Sequence, residues 1–241
     1  MKIDLAFQKI MDTVTGRPVA YEVLARGIES GTGRVLTPGA FAGAAGTRWE
    51  DIDLCILSGL SHKRVQIPRG VGISINVAPE TIVRERYWRR FIEWIEYLAQ
   101  AHDADVIVEV SERMNVPESE VATLIDALHN AGALAALDDY GTASSSDERL
   151  KAHQWDICKI DYRPVMRPEK DRIAQAVVEY CDRRGIKTVL EGLETAADLQ
   201  LVDRIAANWN QGFAYGLPFL SKPAYEGEQH VEISAWGMAP C

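Results

Sequence analysis

A parallel α/β barrel of the (β/α)8 type is the fold this sequence predicts, and three observations predict it. Short apolar runs of strand length alternate with amphipathic segments of helix length along the chain. The alternation fills 241 residues without a linker rich in Pro, Gly or Ser, which is the size of one large domain. No G-x-G-x-x-G and no G-x-x-x-x-G-K-[ST] is present, so the glycine-rich first loop of an open nucleotide-binding sheet is missing.

The elements follow in order. Residues 3–10 and 18–25 bracket Asp12-Thr-Val-Thr-Gly16, a turn sequence, and read as a hairpin. Residues 27–46 are rich in Gly and Ala and form the nearest thing to an internal break. Val71-Gly-Ile-Ser-Ile-Asn76, Asp105-Val-Ile-Val-Glu-Val110, Ala133-Leu-Ala-Ala-Leu-Asp138, Asp156-Ile-Cys-Lys-Ile-Asp161 and Ile186-Lys-Thr-Val-Leu-Glu191 have the length and apolar character of buried strands. Asn210-Gln-Gly-Phe213 is a weaker strand candidate. Between them, Tyr87, Trp88, Phe91, Ile92, Ile95 and Leu98 recur at helical spacing. Trp88 and Trp94 are expected to cover the core or an interface. Residues 116–130 start at Pro117-Glu-Ser-Glu and stop at Ala131-Gly132, a helix with both signals. Residues 168–184 stop at Gly185 in the same manner, and residues 195–207 place Thr195 as an N-cap.

Composition narrows the function. Hydrophobic residues are 47% and charged residues 25%, ordinary for a globular chain and far from disorder. The formal net charge of -9 disfavours a protein that binds nucleic-acid polymer by neutralising phosphates. Cysteines at 55, 158, 181 and 241 form no C-x-x-C pair, and no paired histidines accompany them, so zinc and a disulfide framework are not expected. Reduced thiols, no signal peptide and no membrane-spanning run point to a cytoplasmic protein.

The chemistry lies in what closes each apolar run. The ends carry Asn76, Glu109, Asp138 with Asp139, Lys159 with Asp161, and Glu191, with Glu22 and Arg26 near the end of the first segment. In a parallel barrel these ends meet on one face. One such Asp alone reads as the N-cap of the next helix. Capping does not account for seven polar residues at successive strand ends, and unpaired carboxylates in one mouth repel. A bound hard cation resolves this, and an oxygen donor set selects Mg²⁺ or Mn²⁺. Adjacent Asp138 and Asp139 suggest two ions, which at roughly 3.5–4 Å apart are a common device for splitting phosphate esters. Lys159 has a structural reading as an ion pair and a functional one, holding water and neutralising developing charge. A Schiff base is disfavoured, because surrounding acids raise an amine's pKa.

These residues also carry a resemblance. Gln8-Lys-Ile, Tyr21-Glu-Val-Leu-Ala-Arg26, Asn76-Val-Ala-Pro79, Glu109-Val-Ser-Glu112, Asp138-Asp-Tyr-Gly-Thr142, Lys159-Ile-Asp161, Glu191-Gly-Leu-Glu194 and Gln211-Gly-Phe213 stand in the order and spacing of EAL domains. The chain resembles these bacterial cyclic di-GMP phosphodiesterases over nearly its whole length. The resemblance implies a modified TIM barrel with one antiparallel strand over residues 1–222, followed by a C-terminal tail, 223–241. It implies hydrolysis of cyclic di-GMP to linear pGpG. Glu22, Asn76, Glu109 and Asp138 would hold one Mg²⁺ or Mn²⁺, and Asp138, Asp139 and Glu191 a second. Lys159 would bind the attacking water, Gln211 would position water and substrate, and Glu191 would serve the reaction as well as the metal. Gln8, Leu24 and Arg26 would contact the ligand, Arg26 at phosphate and Gln8 at a guanine edge. Glu112 would pin the loop after Asp139. A homodimer without attached domains is the expected form.

The sequence departs from the family pattern in places. Glu-Ala-Leu reads Glu22-Val-Leu24, Gln-Pro-Ile reads Gln8-Lys9-Ile10, and Asp-Asp-Phe-Gly-Thr-Gly-Tyr-Ser reads Asp138-Asp-Tyr-Gly-Thr-Ala-Ser-Ser145. No liganding residue is lost. The altered loop keeps a second reading open, a cyclic di-GMP receptor with little or no turnover. An unrelated metal- or lysine-dependent barrel enzyme, such as an aldolase, is the third.

Overall fold

The computed structural model describes residues 1–43, 46–62, 69–142, 146–162 and 170–221. The expected tail, 223–241, the substituted loop positions Ala143 and Ser144, and Cys241 lie outside the described residues. The hairpin is formed by β1 (Lys2–Asp12) and β2 (Pro18–Ile28), joined by a turn in which Gly16 N donates to Asp12 O. A short β3 (Val35–Leu36), α1 (Pro38–Phe41) and α2 (Trp49–Ser61) follow. Then come β4 (Gly72–Asn76), α3 (Pro79–Val83), α4 (Glu85–Ala101), β5 (Val106–Ser111), α5 (Glu118–Asn130) and β6 (Leu134–Tyr140). The chain continues through α6 (Ser146–Ala152), β7 (Ile157–Asp161), α7 (Lys170–Asp182), β8 (Lys187–Glu191), α8 (Leu199–Ile205), β9 (Trp209–Gln211) and β10 (Phe219–Leu220).

The sheet closes on itself. Going round, the order is β1-β2-β4-β5-β6-β7-β8-β9 and back to β1. β1 runs antiparallel to both β2 and β9, and the other neighbouring barrel strands run parallel. This is a modified TIM barrel with one strand reversed. The antiparallel partner is the first arm of the hairpin, which a tight turn permits and a crossover helix does not.

Two apolar layers are separate. The larger packs the helices onto the outside of the barrel, with Phe91, Ile95, Leu124, Leu128 and Leu57 fully buried against outward-facing strand residues such as Ile75, Val108 and Leu137. The smaller fills the barrel: Ile10, Ala20, Ile107, Ala136, Ile157 and Val189 touch across the axis. Strand side chains alternate faces, so the residue two positions on, or two positions back along the reversed β1, points into the same interior, one layer higher. Those positions are Gln8, Glu22, Glu109, Asp138, Lys159 and Glu191. A dry floor therefore supports a polar mouth at the carboxyl ends of the parallel strands.

The structure adds a helix and corrects one expectation. α2 occupies residues 49–61, just after the expected break, with Ile52, Ile56, Leu57 and Leu60 buried at helical spacing. α8 begins at Leu199, not Thr195. Thr195 is not its N-cap: Asp198 Oδ2 accepts from Glu194 N, Thr195 N and Thr195 Oγ1, winding that stretch into a turn ahead of the helix. α7 is described from Lys170, inside the expected 168–184. Among the described residues Cys55, Cys158 and Cys181 form no disulfide, and no described helix is long and apolar enough to cross a membrane.

Candidate functional site

The polar mouth is a cleft of about 240 Å³ whose lining includes Gln8, Glu22, Arg26, Asp138, Asp139, Lys159, Glu191 and Gln211. Lys159 stands at its base, only 2% exposed. Its Nζ lies 2.7 Å from Glu109 Oε2, 2.9 Å from Asp138 Oδ1 and 3.0 Å from Glu191 Oε1. Register explains the meeting, since β5, β6, β7 and β8 are consecutive neighbours and each supplies one of these residues. Burial opposes charge on Lys159, but Asp138, Glu109 and Glu191 outweigh it and hold the amine well above its usual pKa. A raised pKa works against the neutral amine that a Schiff base needs.

The carboxylates are short of positive charge. Burial pushes Glu191 up to about 8, against the pull of Lys159. Glu109 is raised well above the carboxylate range by the same cause, and Asp139 is raised by burial and then by Asp138. Glu22 is held by two amides: Asn76 Nδ2 donates to Oε1 at 2.9 Å and Gln211 Nε2 to Oε2 at 2.6 Å. Ser74 Oγ donates to Glu109 Oε1 at 2.6 Å. Glu109 Oε2 and Asp138 Oδ1 face Lys159 only as ion pairs, and Gln211 Oε1, also buried, makes no hydrogen bond. Buried acceptors without donors are costly. A hard divalent cation fits this donor set, although no described group of three or more acidic, His or Cys side chains already surrounds one point as ligands. Lys159 Nζ takes up the space between them.

Local backbone shapes the rim. Asp139 has φ 60, a conformation that costs a non-glycine residue energy and re-aims its side chain at a strand end. The next residues are tied to the β5–α5 loop, where Glu112 accepts from Gly141 N at 3.2 Å and Thr142 Oγ1 at 2.8 Å. On the far side Gly212 follows Gln211. A Cβ there would fall 2.0 Å from Leu193 O, so only glycine allows β9 to close onto the β8–α8 loop.

Arg26 is half-buried in the cleft, its Nη1 donating to Ala25 O at 2.8 Å, with its pKa lowered by burial and partly restored by Glu22. Leu24 lies beside this cleft, in a more apolar pocket of about 480 Å³ that also takes in Trp49, Ile52, Asp53, Asn76 and Pro79. Sequence reasoning missed Ser74 and Asp53. Ser74 stands two residues before Asn76, so strand alternation could have found it. Asp53, raised to about 7 by burial, accepts from Ala78 N and Thr81 Oγ1. Its signal lay in α2, which the sequence reading passed over.

A closed barrel with one reversed strand and an acidic oxygen-donor cleft at its carboxyl face defines a modified TIM barrel of the kind found in EAL domains. The chain belongs to the EAL domain family, whose pattern matches residues 1–218. It is 27% identical over 224 residues to a probable cyclic di-GMP phosphodiesterase of Escherichia coli, PdeN, covering 89% of this chain and 43% of that protein. A second from the same organism, PdeG, is 31% identical over 159 residues, covering 64% of this chain and 31% of that one. The chain thus spans less than half the length of these relatives. Among solved structures it resembles BlrP1 of Klebsiella pneumoniae, solved with manganese and cyclic di-GMP, at a TM-score of 0.71 and 24% identity, covering 91% of this chain and 57% of that one. It also resembles YkuI of Bacillus subtilis, solved with cyclic di-GMP and calcium, at 0.75 and 19%, covering 90% and 55%. At these identities the structures show the fold.

Proposed function

We propose that this chain hydrolyses one phosphodiester bond of cyclic di-GMP to give linear pGpG, using Mg²⁺ or Mn²⁺. The observation that carries the reading is the convergence of Glu109, Asp138 and Glu191 on Lys159, with Glu22 and Asp139 in the same cleft. Glu22, Asn76, Glu109 and Asp138 would hold one ion, and Asp138, Asp139 and Glu191 the other. Bound there, such a pair supplies an acidified water and charge neutralisation at the phosphoryl oxygens. The same oxygens are now shared with Lys159, so loading would draw its ammonium off at least one carboxylate.

The remaining steps belong to the chain's own side chains. Lys159 Nζ donates to the attacking oxygen and balances charge in the transition state. Gln211 is held to Glu22 through Nε2, which leaves Oε1 to accept from water or substrate. Arg26 takes a phosphate through its remaining guanidinium nitrogens. Gln8 meets a guanine edge, and Leu24 offers an apolar face to a base from the adjoining pocket. Glu112 fixes the loop that follows Asp139. The substrate is a dianion and the protein carries -9, so attraction must be local, from the ions and Arg26. A homodimer is part of the same proposal.

The test is incubation of the purified chain with cyclic di-GMP and Mg²⁺ or Mn²⁺, beside an EDTA control, followed by separation of nucleotides. Metal-dependent pGpG is expected. Substrate left intact but bound would overturn the enzyme and favour a receptor, the reading that Ala143 and Ser144 in the altered loop support.

A further inference from the structure

Arg149 is a buried cation outside the cleft that the proposed reaction does not use. It sits on α6, 7% exposed. Its Nε and Nη2 donate to Glu118 Oε1 at 3.1 and 2.6 Å. Its Nη1 turns to backbone: Glu112 O at 2.8 Å, Met114 O at 3.0 Å and Ser111 O at 3.5 Å. One guanidinium nitrogen thus gathers the carbonyls of the β5–α5 loop, of which Ser111 O also accepts from Met114 N at 3.1 Å. The Arg149 carbonyl in turn accepts from Trp155 Nε1 at 3.0 Å, and the start of α6 is tied to β6 by a hydrogen bond from Tyr140 Oη to Asp147.

The gathered loop leads straight to the cleft. Glu112 N donates to Asp138 O at 2.9 Å, and the Glu112 carboxylate accepts from Gly141 N and Thr142 Oγ1. Two hydrogen bonds therefore link Arg149 to the backbone of Asp138: Nη1 to Glu112 O, then Glu112 N to Asp138 O. Lysine cannot reproduce this fork, because a point ammonium lacks its planar spread of donors.

We infer that Arg149 is a positioning residue, setting the Asp138–Asp139 corner through the backbone and carboxylate of Glu112. The role rests on the phosphodiesterase reading for its effect on turnover, but not for its effect on the loop. The test uses the full chain with Arg149→Lys, Glu112→Gln, the double variant, and Lys151→Ala as a control on the exposed side of the same helix. Four quantities are measured: kcat and KM for cyclic di-GMP, Mn²⁺ affinity by the EPR signal of free Mn²⁺, amide exchange over residues 111–116 and 138–142, and Tm.

Arg149→Lys is expected to lower kcat and Mn²⁺ affinity by about tenfold to a hundredfold, the range for groups that orient metal ligands. KM should stay within about threefold, and exchange should quicken in the two loops only. The Glu112→Gln and Arg149→Lys effects should combine to less than their product, since both act through one loop. Lys151→Ala should match the parent. Unchanged exchange and Mn²⁺ affinity in Arg149→Lys, full additivity with Glu112→Gln, or losses that merely track Tm would overturn the inference. If the parent binds Mn²⁺ but releases no pGpG, the enzyme reading fails alone, and exchange and Mn²⁺ affinity still decide the role of Arg149.

Discussion

Lys159 Nζ and Glu109 Oε2 meet at 2.7 Å with both side chains shut away from water, and Glu109 is 1% exposed. Burying such a pair costs each ion its hydration, which mutual attraction only partly returns. Stability alone does not favour the arrangement. Glu109 keeps Ser74 as a donor on its other oxygen, and Lys159 keeps Asp138 and Glu191. The pair is therefore one edge of a larger cluster, one ammonium facing three carboxylates.

Replacing Glu109 follows from that geometry. Glu109→Gln preserves the size of the side chain and an acceptor for Ser74, and removes the charge. Turnover of cyclic di-GMP should fall by more than about a hundredfold at limiting Mg²⁺, as expected when a ligand is removed. Glu22→Ala should do the same. Near-parental turnover of either variant in a Mg²⁺ titration would sink the ligand assignment.

Lys159→Met separates charge balance from chemistry. The variant should still bind Mn²⁺, because it keeps every carboxylate, and should lose about 10²–10³ in kcat, as when one transition-state donor is removed. Without metal its Tm should drop, since the buried carboxylates lose their central cation. Added Mg²⁺ should raise its Tm by more than it raises the parent's. Parental kcat would remove Lys159 from the water-holding role.

The raised carboxyl groups make stability depend on pH. Glu191 is pushed to about 8 and Asp53 to about 7, against about 4 in the unfolded chain, and Glu109 and Asp139 move the same way. Between pH 4 and pH 8 the folded state binds more protons than the unfolded state. Stability is then fully present below the unfolded pKa and is lost as pH rises through the folded values. The lowered carboxyl groups Asp12, Glu29, Asp103, Glu118 and Asp147 act with the opposite sign, but below their usual range, outside this window. In EDTA, Tm should fall from pH 5.5 to pH 8.5 (about the window just derived), and Mg²⁺ should flatten that slope by binding the ionised form. A metal-free Tm that climbs over this interval would contradict the burial argument.

Most of the fold was legible because a barrel writes its interior in steps of two. Ile107 with Glu109, Ala136 with Asp138, Ile157 with Lys159 and Val189 with Glu191 each pair a floor residue with a mouth residue on one strand face. Closure was less legible. β9 is a three-residue strand, and its pairing with β1 depends on long-range register. The start of α8 was misread because Thr195 as a cap and Thr195 in a turn closed by Asp198 look alike in sequence. Arg149 left no local signal at all, since what distinguishes it from a surface arginine is three carbonyls from a loop more than 30 residues earlier.

Gly212→Ala tests how closely the far wall of the cleft is set. Its Cβ would stand 2.0 Å from Leu193 O and 2.5 Å from Leu193 N, and both obstacles are backbone, so no side-chain rotation can relieve the clash. Either β9 or the β8–α8 loop must move. Overpacking of this kind costs about 1–3 kcal/mol, readable as a shifted urea midpoint at constant m-value. The functional effect should exceed the loss of stability. Gln211, the adjacent residue, is hydrogen-bonded to Glu22 at 2.6 Å, and a shift of β9 would stretch that bond. Activity at a temperature where the variant is fully folded should therefore fall by about tenfold or more, with Mn²⁺ affinity weakened through Glu22. A folded variant with parental kcat would mean that the wall yields without disturbing Gln211, and that the contact between β9 and the β8–α8 loop serves packing alone.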